Sequence, residues 1–190
     1  MPDPDAGLRT RLVSAGVDLL ASHGPQALSL REIARQAGVS HGAPRRHFPT
    51  HQALLATIAS EGYSQLSELI DNAIGDSEGP PRLRVLALGC AYLDFARANP
   101  GMFELMFRHD LLQGNQIGLR DTSLRLFEVL VELVRQTRPD SAQPPVLIAG
   151  AIWANLHGIA LLRQWGSLRI AVDSDDVDSL LLASVDAHLR

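Results

Sequence analysis

Apolar residues recur along this chain in three- and four-residue steps, interrupted by glycine, proline and polar clusters. Leu12, Ala15, Gly16, Leu19 and His23 share one face at i, i+3, i+4, i+7 and i+11, which predicts an amphipathic helix over 8–23, closed by Gly24 and Pro25. Leu55, Ile58, Ala59, Gly62, Leu66, Leu69, Ile70 and Ala73 keep the same period and predict a long helix over 51–74. GDSEGPP at 75–81 reads as a linker. Further helices are expected over 81–98, 102–112, 119–137, 146–165 and 174–189, separated by the Asn99-Pro100-Gly101 turn, a Gly-containing break at 113–118 and the Pro-rich loop 138–145. The acids of 173–178 suit a helix start, where negative charge meets the positive end of the macrodipole. No useful stretch alternates with period two. The chain is predicted to be all-α.

The densest local signals lie between Leu28 and Thr50. Ser29 is a good N-cap, with Glu32 placed to complete a capping box and Leu28 and Ile33 at the spacing of a hydrophobic staple. Ile33, Ala34 and Ala37 give this helix its apolar face, and Gly38 stops it. Ser40 is expected to cap a second helix running from His41 to His47, with Phe48 as its anchor and Pro49 as its end. Thr50 is expected to cap the long helix. Two short helices joined by a tight glycine turn are the means by which many proteins place one helix in the DNA major groove.

Charge sharpens that picture. From Ser29 to His51 there are four arginines (Arg31, Arg35, Arg45, Arg46) against one acid, Glu32, whereas the whole chain carries a net charge of −4. A local basic patch on an acidic protein points to phosphate contact. With 190 residues, 46% of them hydrophobic, the chain suits one compact domain or a small domain joined to a medium one. All 17 basic residues are arginine, which excludes lysine nucleophiles. Cys90 is the single cysteine, so no internal disulfide can form. It is expected to be a small buried apolar residue on its helix. The start of the chain, 1–11, has no apolar h-region and is expected to be disordered. Val146 to Leu162 is uncharged but shorter than a membrane span and holds Asn155 and His157, so a buried helix is expected there and no membrane contact.

Residues 8–60 resemble the N-terminal domain of TetR/AcrR-type transcriptional regulators. The resemblance rests on LLASHG, LSLREIARQAGVS, HGAPRRHF and the helix opening THQALL. Arg45 stands where the family usually has tyrosine, and His51 where many members carry lysine. Residues 92–108 and 152–162 resemble the C-terminal domain of one branch of these regulators, marked by a Trp-His-Gly signature that here is Trp153 with His157-Gly158. The resemblance implies a helix-turn-helix domain over 8–53, a helical effector-binding and dimerisation domain over 54–190, and a cytoplasmic homodimer that represses transcription from a palindromic double-stranded DNA operator. An activating or ligand-independent DNA binder of the same fold is the alternative.

On DNA, Arg45, Arg46 and His47 are expected to project from the reading helix, since arginine can grip guanine bidentately. Ser29, Arg31, Ser40 and His51 are placed for phosphates, and the small Gly42 and Ala43, after His41, let the backbone approach. A pocket for an unknown small apolar or amphipathic effector would draw on Tyr92, Phe95, Met102, Phe103, Met106, Phe107, Phe127 and Trp153, with Tyr92, Asn155 and His157 as polar anchors. Taken singly, each of these is better read as a core or dimer contact, and His157 then simply donates to a backbone carbonyl. The 102–107 helix beside the Asn-Pro-Gly turn is the candidate moving part. No HExxH, P-loop, GxSxG or dinucleotide-binding glycine run is present. His109-Asp110 would need distant partners to hold a metal. No enzyme activity, cofactor or metal is expected.

Overall fold

The helical period of the sequence becomes ten α-helices among the described residues, with no strand among them. The structure is a computed structural model and describes residues 4–108, 112, 119–172 and 176–189. The helices are α1 (Pro4–His23), α2 (Leu30–Gln36), α3 (Pro44–His47), α4 (His51–Gly75), α5 (Pro81–Ala98), α6 (Pro100–Phe107), α7 (Leu119–Thr137), α8 (Pro145–Gln164), α9 (Ser167–Val172) and α10 (Val177–Leu189), with a 3₁₀ turn at Pro25–Ala27. The expected elements are present, with differences at α1, α6, α9 and the short α3, and α6 ends at Phe107 rather than at 112. α1 begins at Pro4 and takes in residues expected to be disordered. α6 begins at Pro100, because proline at the first helical position gives up only an N–H that has no helical partner. The sequence reading did not anticipate α9. The predicted break at 113–118, His109-Asp110 and Asp173 and Asp175 lie outside the described residues.

By packing, the chain divides into two units that are not the continuous segments 8–53 and 54–190. The first is Met1–Ser64 with Asn99–Thr122, and the second is Gln65–Ala98 with Ser123–Arg190. In the first, Leu12, Leu20, Ile33, Phe48, Leu54 and Ile58 are buried together with Phe103, Leu105 and Met106 of α6. α6 sits close on α1. A Cβ built on Gly101 would lie 2.7 Å from the Leu20 carbonyl oxygen, so only glycine fits there. The Tyr63 hydroxyl donates to the Met106 carbonyl at 2.9 Å, and burial pushes the Tyr63 pKa up to about 12.

In the second unit α5, α8 and α10 pack on one another through Leu88, Ile152, Leu156, Leu181 and Val185, and Arg82 of α5 is paired with Asp186 of α10. Asp176 caps α10 by accepting from the Ser179 N–H at 3.0 Å, and Asp178 lies in its first turn. The expected acidic helix start is borne out at these two residues. α8 is long and apolar enough to cross a membrane by length and composition, but only 28% of its most apolar window is buried. It is thus not the fully buried helix expected. Val146, Leu147, Trp153 and Leu162 are exposed, Leu147 at 67%. Cys90 is also exposed, against expectation. Partial desolvation, then Asp178 and Asp94, raises its thiol pKa and keeps it protonated.

Candidate nucleic-acid interface

The turn between α2 and α3 is built from backbone bonds that the sequence dictates. The Ser29 hydroxyl accepts from the Glu32 N–H at 3.1 Å and starts α2. The capping box is only half formed. The Ser29 N–H is already taken by the Ala27 carbonyl at 2.8 Å, and the Glu32 carboxylate turns instead to Arg35, whose Nε donates at 3.0 and 3.1 Å. Hydrogen bonding to Arg35 holds the Glu32 carboxyl below its ordinary range. Arg35 is therefore charge-matched within its own helix.

α2 closes with a Schellman motif. Gly38 takes φ +68°, its N–H bonds the Arg35 carbonyl at 3.1 Å, and the Val39 N–H bonds the Ala34 carbonyl at 3.0 Å. Val39 is half-buried, as the motif's apolar contact requires.

The reading helix is shorter than expected. α3 is a single turn, Pro44–His47, and Ser40 does not cap it. Pro44 has no N–H to bond the Ser40 carbonyl, so α-helical bonding starts only at proline itself, with Phe48 N–H to Pro44 carbonyl at 2.8 Å. The Ser40 carbonyl closes a preceding turn with the Ala43 N–H at 3.0 Å. Pro44 and Phe48 are buried and fix this turn to the core, and the Thr50 hydroxyl accepts from the Ala53 N–H at 3.0 Å to start α4. Sequence reading had Phe48 and Thr50 right, but it missed Pro44 as a second anchor.

This framework leaves Arg45 and Arg46 exposed, beside exposed Ser29, Arg31, Ser40, His41 and Gly42 and half-buried Ala43. His47 and His51 differ. Both are half-buried, and each has its Nε2 buried. The ion pairs among the described residues engage Arg35, Arg82, Arg97, Arg108 and Arg135, and they leave Arg31, Arg45 and Arg46 uncommitted to a carboxylate. One more cation joins this surface. The Arg9 guanidinium of α1 stands over the Phe48 ring, 4.6 Å from its centroid. Arg9 falls inside the helix predicted over 8–23, but the sequence gives no sign that it meets Phe48.

The ten residues expected around an effector are divided between the units. Met102, Phe103, Met106 and Phe107 belong to the first, where Phe107 meets Phe103 at 4.9 Å and Tyr63 at 6.1 Å between ring centroids. Met102, Phe103 and Met106 are buried there as core. The other six belong to the second unit. His157 Nδ1 lies 2.9 Å from the Tyr92 hydroxyl. Burial lowers the His157 pKa. Trp153 packs on His157 at 5.9 Å, as their four-residue spacing predicted, and meets Phe127 edge-on at 6.2 Å. Phe95 is buried, and Asn155 Nδ2 lies 3.0 Å from His188 Nε2. An open groove of about 440 Å³ lies elsewhere in this unit, lined by Arg163, Trp165, Gly166, Arg169 and Ile170.

Comparison with known proteins finds a family match in each half of the chain. Residues 12–58 match the family described as bacterial regulatory proteins, tetR family, and residues 85–187 match the tetracyclin repressor-like C-terminal domain. The HTH-type transcriptional repressor Rv3405c of Mycobacterium tuberculosis is 29% identical over the whole of this chain and 92% of its own length. The nucleoid occlusion factor SlmA of Vibrio cholerae is 30% identical over 67% of this chain and 65% of its own. A solved structure from Rhodococcus sp. RHA1, of a protein of unknown function, is 31% identical and superposes with a TM-score of 0.82 over 96% of this chain and 94% of that one. The two matched domains, on an all-helical framework with a glycine turn presenting Arg45 and Arg46, place this chain in the TetR family of DNA-binding helix-turn-helix transcriptional regulators.

Proposed function

We propose that this chain acts in the cytoplasm as a homodimeric repressor of a palindromic operator, released when a small apolar or amphipathic molecule binds its second unit. The exposed Arg45-Arg46 pair on a one-turn helix carries the DNA half of the proposal. One turn presents few side chains, so a single copy reads few base pairs. Two copies on a two-fold axis, with reading helices about 34–36 Å apart, read a palindrome. Arg46 and Arg45 are assigned to base edges. Ser29, Arg31 and Ser40 are assigned to phosphates, and His41, Gly42 and Ala43 to close backbone approach. His47 and His51 support the surface from half-buried positions.

Release requires an effector that binds one geometry of the dimer better than another, and a coupling of about 1–3 kcal/mol weakens DNA binding some 5- to 150-fold. Within the second unit, Tyr92, Phe127, Trp153 and His157 form the aromatic group with polar atoms that suits an amphipathic molecule. A ligand-independent DNA binder is the second reading. It is favoured by the burial of Met102, Phe103 and Met106 as plain core, and by similarity to a relative named as a nucleoid occlusion factor.

The test begins with duplexes selected from a random pool by the purified protein. Arg46→Ala is expected to abolish preference for the selected duplex while leaving helicity unchanged. Normal selectivity in both Arg45→Ala and Arg46→Ala removes the assignment of α3 as the reading helix. Specific binding that no amphipathic compound alters favours the second reading.

A further inference from the structure

We propose that Arg9 of α1 is a clamp for the phosphate backbone of duplex DNA, held in place by Phe48. The proposal rests on the DNA-binding reading and extends the interface to an element outside the helix-turn-helix segment.

The geometry argues from both residues. Phe48 is almost fully buried, at 1% exposure, and its ring is the anchor that directly follows Arg45, Arg46 and His47. Arg9 lies over that ring at 4.6 Å and is itself exposed. A guanidinium held over an aromatic ring by its cation–π attraction still has N–H donors to offer outward. Those donors match phosphate oxygens bidentately. The contact also restrains a long side chain that would otherwise lose rotamer freedom on binding.

Position completes the argument. Phe48 lies between the reading turn α3 and the Thr50 cap that opens α4. Arg9 therefore sets a positive charge at the end of the reading turn, where the strand bordering an occupied groove would pass. Arg9 is absent from the ion pairs among the described residues, so its charge is not matched by a carboxylate there.

The experiment is a salt titration of binding to the selected duplex and to a scrambled duplex, read by fluorescence anisotropy, with melting temperature followed in parallel. Arg9→Met keeps an apolar stem over Phe48 and removes the charge. Arg9→Lys keeps the charge and loses the planar fork. Each phosphate neutralised contributes about 0.9 to the slope of log affinity against log salt. Arg9→Met is expected to lower that slope by about 0.9 per bound subunit and to weaken both duplexes alike, as a phosphate contact requires. Arg9→Lys is expected to restore most of the slope. An unchanged slope in Arg9→Met overturns the proposal, whether or not the melting temperature falls. A wild-type protein with no affinity for either duplex overturns the DNA-binding reading and this proposal together. Weakened binding of the selected duplex alone assigns Arg9 to base reading and overturns the phosphate role.

Discussion

His157 shows what a single side chain reports about its surroundings. Its Nδ1 meets the Tyr92 hydroxyl, Trp153 covers its ring, and burial disfavours its charged form. A histidine whose folded pKa lies below its unfolded value of about 6.5 takes up its proton more readily in the unfolded chain. Stability is then intact above about pH 6.5 and falls as the solution is acidified toward the folded pKa. Denaturant titrations between about pH 7.5 and 5.5 are expected to show this loss in the wild type and a smaller loss in His157→Gln. Equal pH dependence in the two proteins would remove the assignment. Other residues were legible from their neighbours. Ser29, Gly38 and Thr50 do what the sequence requires because capping and turn bonds span only a few positions. The partner of Glu32 was not legible, because the preceding turn satisfies the Ser29 N–H first. The exposure of Cys90 was not legible either, since apolar sequence neighbours do not say which face of a helix is covered.

At the scale of elements, periodicity found the long helices, and proline set the ends that it missed. α4 and α7 match their expected spans closely, whereas α3 shrank to one turn because Pro44 removes the bond that would have begun at Ser40. α6 is the element whose packing is tightest on its neighbours. Its Met and Phe residues suggest a ligand wall, and Met102, Phe103 and Met106 are buried within the first unit, with Gly101 against the Leu20 carbonyl and Tyr63 bonded to the Met106 carbonyl. Apolar composition does not tell a cavity wall from a filled core. Gly101→Val is expected to lift α6 from α1 and cost about 1–3 kcal/mol, the range for forcing extra volume into a packed site. Chemical denaturation measures the loss directly. A stability within about 0.5 kcal/mol of wild type would show that the contact is slack.

For the whole molecule, the feature that asks for a second copy is the bare side of α8. Leu147 and Leu162 stand exposed there, and Leu182 stands exposed on α10. Apolar area of this kind is usually covered. Packing α8 and α10 against their two-fold mates is the arrangement expected to cover it in the proposed dimer. Sedimentation is expected to give a dimer for the wild type and a monomer for a Leu147→Asp, Leu182→Asp double variant. A dimer in both would place the seam elsewhere. Sequence reading had foreseen an uncharged helix here, but it could not say how much of that helix its own subunit would cover.

The order of the chain has a practical consequence. The backbone leaves the first unit after Ser64, returns at Asn99 and leaves again after Thr122. A miniature DNA reader cut from the gene at residue 64 would therefore lose α6. Leu20 would be opened to water and the Tyr63 hydroxyl would lose its acceptor. Anyone grafting this head onto another sensor would need to carry the downstream segment along, as a second strand of the same clasp.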